Sequence, residues 1–191
     1  MIGAYSVKSL ILLIASGVLG GNFVLEKLIG AAPVFGLSRK ENALPALGIG
    51  VLVVMLVSAP LLRAVNLYLL VPANLLYLQN LCAVALILCV AYLVSCLARV
   101  LLKCSLEPYF LVLAVNSAVF ALAVNSISDG LTLAETLLTA LGVGLGYLFA
   151  IFVFAGVKER VDDYYVPKAF RGFPVQLLAA AIISMALLGF K

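Results

Sequence analysis

Charged residues are sparse along this chain, and they punctuate long apolar stretches. Cutting at the charges leaves six such stretches, over residues 9–25, 42–62, 64–98, 108–128, 136–157 and 172–190. A helix needs about twenty mainly apolar residues to cross the hydrocarbon layer of a membrane, and each stretch meets or approaches that length. The third is too long for one straight crossing. Its early part holds Asn66, Pro72 and Asn74, so the span is predicted to begin near Leu75 or Leu76, after a surface-lying segment. The stretch after Lys8 has the apolar centre of a signal peptide but no convincing small-x-small cleavage site, and further spans follow it. It is read as a retained first membrane helix. The expected fold is all-α, a single membrane domain over residues 1–191 with six transmembrane helices.

One segment does not fit a plain span. Residues 28–38 (LIGAAPVFGLS) are uncharged, too short to cross and too apolar for a simple loop, and Gly30, Pro33 and Gly36 would break a helix there. A broken or re-entrant element is predicted near Gly30-Pro33, which lipid tolerates only where neighbouring helices cover its backbone.

Composition sharpens this picture. Hydrophobic residues make up 66% of the chain and charged residues 10%, where a soluble domain carries about a quarter charged. Lipid is the solvent that suits such a surface. Histidine is absent, which removes imidazole ligation of haem or zinc and any Ser-His-Asp relay. The net charge of +4 comes from twelve basic residues scattered among apolar spans, which do not make a nucleic-acid groove. Cys82, Cys89 and Cys96 recur every seven residues within one apolar stretch, so they share a helix face and cannot bridge one another. They are read as small packing residues.

With six spans, the loops after the first, third and fifth hold nine of the twelve basic residues, and the other side holds Lys8, Arg63 and Lys191. The positive-inside rule then places both termini outside the cytoplasm.

Six spans divide into two triplets that run through the membrane in opposite senses, which is the arithmetic of an inverted repeat. The repeats are predicted at about residues 1–103 and 104–191. Ala32-Pro33-Val34-Phe35 is echoed, 85 residues on, by Ser117-Ala118-Val119-Phe120, so a second break is expected near Asn116-Ser117. Small residues recur where helices should touch, at Gly17 and Gly21 and again at Gly142, Gly144 and Gly146. The latter run has no preceding strand, so it is read as a packing surface rather than a nucleotide loop.

Several segments carry a resemblance. They are Asn22-Phe23-Val24-Leu25 with Lys27, Gly30, Pro33, Gly36, Ser38 and Lys40; Pro72 through Leu78; Asn116 with Val119; Phe154 through Arg160; Val166-Pro167; Phe170-Arg171-Gly172; and Gly189-Phe190. In this order the chain resembles the family of RnfA, from the Rnf complex, and of NqrE, from the sodium-pumping NADH:quinone oxidoreductase. Its tail looks like that type rather than the longer sister subunit, RnfE or NqrD. The resemblance implies an integral subunit of a bacterial or archaeal cell-membrane complex that couples electron transfer, of the ferredoxin or NADH type, to Na⁺ or H⁺ transport. Its partners would be membrane lipid, the homologous sister subunit and the other Rnf/Nqr-like subunits, with chemistry carried by flavin and iron–sulfur centres in those partners. The family also implies a [2Fe–2S] cluster shared with the sister subunit, its cysteines standing before the proline of the first motif and after the asparagine of the second. Here those positions are Ala32 and Ser117, so no cofactor, metal or catalytic residue is predicted for this chain.

The residues marked by the motifs are Asn22, Gly30, Pro33, Asn116 and Ser117. Glu26, beside Lys27, is read as half of an interfacial pair; buried, it would be a functional ion pair. Asp129 and Glu135 flank a loop without basic residues and are read as solvated helix ends; an ion path would use them with Glu26 to collect cations. The competing reading is a free-standing small-solute or ion carrier on the same inverted scaffold, and a third is a purely structural scaffold.

Overall fold

A computed structural model describes residues 29–30, 44–102, 110–160, 166–167 and 170–188. The first predicted span lies outside them, as do Asn22, Glu26, Lys27, Ala32, Pro33 and Cys104.

The described chain is helical. Helix α1 runs over Leu44–Val65 and passes without interruption into a π-helical turn, Asn66–Leu70. After a short turn and a 3₁₀ turn at Leu76–Leu78, α2 occupies Gln79–Leu102. Then come the short α3 (Phe110–Ala114), α4 (Ser117–Ser128), α5 (Leu133–Arg160) and α6 (Phe173–Leu188). Among the described residues, four helical stretches are long and apolar enough to cross a membrane: Leu47–Leu70, Leu76–Val100, Phe110–Ser128 and Leu133–Val157. Helix closes the backbone hydrogen bonds within the segment, which is the condition for passing through lipid. The last helix, α6, is apolar but has 16 residues, about 24 Å at the usual rise.

The third span begins where expected, at Leu76, but residues 64–70 do not form a surface-lying lead into it. They prolong α1 beyond Arg63. Two things allow this. The Arg63 guanidinium does not end the helix in water; its Nε donates to the Leu131 carbonyl at 2.6 Å. The backbone then widens to i→i+5 bonds, Val71 N to Asn66 O at 3.0 Å and Leu75 N to Leu70 O at 2.9 Å, until Pro72 and the left-handed Asn74 (φ 55°) turn the chain.

Helix α1 sits at the centre, packed most extensively on α5 and then on α4 and α2. Its inward face (Leu47, Val51, Val54, Met55, Ala59, Leu62) is almost wholly buried. The α1–α5 contact is reciprocal. A Cβ at Gly48 would lie 3.0 Å from the Leu148 side chain, and one at Gly144 would lie 3.1 Å from that of Leu52. Each helix thus offers a glycine and, four residues on, a leucine that fills its partner's notch, with the two helices antiparallel. Without a hydrophobic drive between helices in lipid, such close approach supplies the attraction. Gly142, Gly144 and Gly146 are all buried, as the packing reading requires.

Helix α2 buries only a narrow stripe, including Ala83, Ile87, Val90 and Ala91, and turns Leu81, Tyr92, Leu93 and Val100 outward. The cysteines correct the sequence reading here. Cys82 is half-buried, but Cys89 and Cys96 are exposed. Their seven-residue spacing keeps them on one face, as expected, but it is the face beside the inward stripe rather than the stripe itself.

Candidate functional site at the Asn116 break

The fourth span is broken in its middle, as the sequence predicts. Helix α3 stops at Ala114, and Asn116 is extended (φ −80°, ψ 114°) before α4 begins at Ser117. Asparagine caps the new helix: its Oδ1 accepts from the Ala118 amide at 2.9 Å. The Asn116 carbonyl accepts from Phe120 N at 3.2 Å, the first bond of α4.

Gly30 lies against this break. It sits in a turn with φ 83°, a conformation that side-chain-bearing residues rarely adopt. It is also enclosed: a Cβ there would fall 2.6 Å from Ala118 Cβ, 2.8 Å from Asn116 Oδ1 and 3.1 Å from Tyr147 Cε2. Both of its backbone groups are bound by side chains from the second half of the chain. Its amide donates to Ser117 Oγ at 2.8 Å, and its carbonyl accepts from the Tyr147 hydroxyl at 3.2 Å. Asn116 Nδ2 in turn donates to the Tyr147 oxygen at 2.8 Å.

Four residues, two of them far apart in sequence from the rest, therefore close one network. Asn116 (3% exposed) and Tyr147 (1%) are buried, while Ser117 lies at the surface of the chain. Tyr147 stands well inside its apolar span, ten residues and about 15 Å of helix before the end at Val157. At that depth an unpaired hydroxyl, amide or carbonyl is expensive, and the network leaves none of these groups unmatched.

The sequence marks Gly30, Asn116 and Ser117, and the fold brings these three together. It does not mark Tyr147, an aromatic residue inside an apolar span that reads as core packing; the available signal is its phenol, which needs a partner when buried. Asp129 and Glu135 are not part of this site. Asp129 is exposed at the end of α4, its amide bonded to Asn125 O at 2.8 Å. Glu135 belongs to a capping box on α5: its Oε2 accepts from Thr132 N at 2.7 Å and Thr132 Oγ1 at 2.9 Å, while Glu135 N donates to Thr132 Oγ1 at 3.3 Å.

The residues present do not fit the iron–sulfur cluster that the resemblance implies. Such a cluster is held by soft, anionic thiolates. The alanine at position 32 has no donor atom, and Ser117 offers a neutral hydroxyl whose oxygen is already engaged by the Gly30 amide. Among the described residues no three Cys, Asp or Glu side chains gather as a metal site.

The sequence matches the Rnf-Nqr subunit family of membrane proteins over residues 10–191. It is 34% identical to the A-type subunit of the Na⁺-translocating ferredoxin:NAD⁺ oxidoreductase complex of Acetobacterium woodii, covering 96% of this chain and 97% of that protein. It is 34% identical to the A-type subunit of an ion-translocating oxidoreductase complex of Syntrophotalea carbinolica, over 96% of both chains. The corresponding subunit of Cereibacter sphaeroides is 31% identical, over 93% of this chain and 94% of its own. Similarity that runs nearly end to end, on a chain with four helical stretches among its described residues long and apolar enough to cross a membrane, makes this a multi-pass membrane protein that belongs to the Rnf-Nqr subunit family.

Proposed function

We propose that this chain is the A-type membrane subunit of an Rnf-like complex that couples electron transfer between ferredoxin and NAD⁺ to Na⁺ or H⁺ transport. The observation that carries the reading is the near full-length similarity to the A-type subunits of such complexes. In this role the chain is non-catalytic. Hydride and electron chemistry belongs to partner subunits with flavin and iron–sulfur centres, and a homologous sister subunit lies beside it in the membrane.

In the same reading the chain crosses the membrane six times as two inverted triplets, with both termini outside the cytoplasm. The reciprocal Gly48–Leu148 and Leu52–Gly144 notches support this, because a two-fold axis in the membrane plane exchanges one pair for the other. The meeting of Gly30 with the Asn116–Ser117 break supports it as well. The acids Glu26, Asp129 and Glu135 are the candidates for an ion path on the chain.

Affinity purification in mild detergent tests the proposal. A stable assembly that brings flavoproteins and a second multi-pass subunit along is the expected result. A homodimer that transports an ion or solute after reconstitution, with no flavin bound, would replace this reading with that of a free-standing carrier. Amide replacements at the three acids, assayed for Na⁺-dependent transport, decide their part: unchanged ion dependence removes them from the path.

A further inference from the structure

The Gly30 junction occupies the place where the family resemblance puts a redox group, yet every polar contact in it serves the protein backbone or the clasp itself. We infer that this subunit holds no intramembrane iron–sulfur cluster, and that a hydrogen-bonded clasp of Asn116, Ser117 and Tyr147 joins the Gly30 turn to the break at Asn116 instead. The inference rests on the reading of the chain as an Rnf-like membrane subunit.

Three observations bear on it. First, the donor chemistry is wrong: two thiolates would be needed from this chain, and its positions supply a methyl group and a neutral hydroxyl. Second, the hydroxyl is in use. Ser117 Oγ lies 2.8 Å from the Gly30 amide, and turning it toward a metal would strand that amide at membrane depth. Third, the junction is complete without a bridging group. The Gly30 carbonyl is satisfied by Tyr147, Tyr147 by Asn116, and the other end of Asn116 by Ala118 N, so each of these described buried groups has its partner within the clasp. The cysteines do not compensate. The three that the structure describes lie along α2, with Cys89 and Cys96 exposed, and none is at the junction. Electron transfer in an assembly built on this chain therefore runs through groups held by other subunits.

Iron counting and low-temperature EPR on the dithionite-reduced complex test this. In the unmodified complex, iron should equal what complete cysteine sets in the co-purified subunits account for; two further irons per complex would overturn the inference. Ser117→Ala should leave both the iron count and the EPR spectrum unchanged, whereas loss of two irons or of a signal would overturn it. Ser117→Cys is a second variant that keeps a hydrogen-bond acceptor: an unchanged spectrum agrees with the clasp, and a shifted signal would show a ligand at position 117. If the chain purifies without flavoproteins, the functional reading fails, while iron counted on the chain together with a co-purified sister membrane subunit still decides this inference.

Discussion

At the scale of single residues, Gly30 is the most constrained glycine the structure describes. Alanine there meets two costs: a left-handed backbone, and a Cβ pushed to 2.6 Å from Ala118 Cβ. Together these amount to about 2–5 kcal/mol. Gly130 shares the positive φ (66°) but has nothing within 4 Å of a Cβ, so Gly130→Ala isolates the backbone term, about 1–2 kcal/mol. Denaturation of the detergent-solubilised protein should therefore rank Gly30→Ala well below Gly130→Ala; equal losses would mean that the junction is not close-packed. Tyr147 is tied to Asn116 in the same way. Tyr147→Phe strands the Gly30 carbonyl and Asn116 Nδ2, a loss of about 1–3 kcal/mol, and Asn116→Ala removes the cap of α4 as well. Because the two share one network, the double variant should lose less than the sum of the singles. Additive losses would separate the tyrosine from the break.

At the scale of elements, much was legible because membrane crossing is a length-and-composition constraint. The start of the third span at Leu76 followed from where polar and helix-breaking residues interrupt an apolar run, and the break at Asn116 from the echo of residues 32–35 at residues 117–120. The prolongation of α1 through Arg63 did not. A charge in the sequence marks the end of an apolar run, but only the fold supplies the Leu131 carbonyl that lets the guanidinium stay beside a continuing helix. Glu135 shows the same limit. Its acid reads as a solvated helix end, and the capping box that it forms with Thr132 could be seen only as a spacing. This yields a test that separates a cap from an ion site. Glutamine keeps the box geometry, so Glu135→Gln should hold stability nearly constant, while Glu135→Ala should lose about 1 kcal/mol. If Glu135→Gln keeps stability and also abolishes Na⁺-dependent transport, the carboxylate has a task beyond capping α5.

At the scale of the whole molecule, the charge bias and the helix packing bear on the same question from independent directions. The nine-to-three division of basic residues holds only if the chain crosses six times, and it then puts both ends outside the cytoplasm. The antiparallel, reciprocal packing of α1 on α5 needs an odd number of reversals between the two helices, which the described spans supply. The first and last crossings decide where the termini lie. Membrane-impermeant maleimide applied to intact cells addresses this directly. In a background with Cys82, Cys89, Cys96 and Cys104 replaced by alanine, single cysteines at Ser6, Asp129 and Lys191 should label from outside, and one at Glu159 should label only after the membrane is opened. Labelling of Asp129→Cys from outside with Glu159→Cys protected would fix the sense of α5 alone. Termini found on opposite faces would leave an odd number of crossings, and with it no inverted pairing of triplets and no symmetric origin for the Gly30 turn and the Asn116 break that it meets.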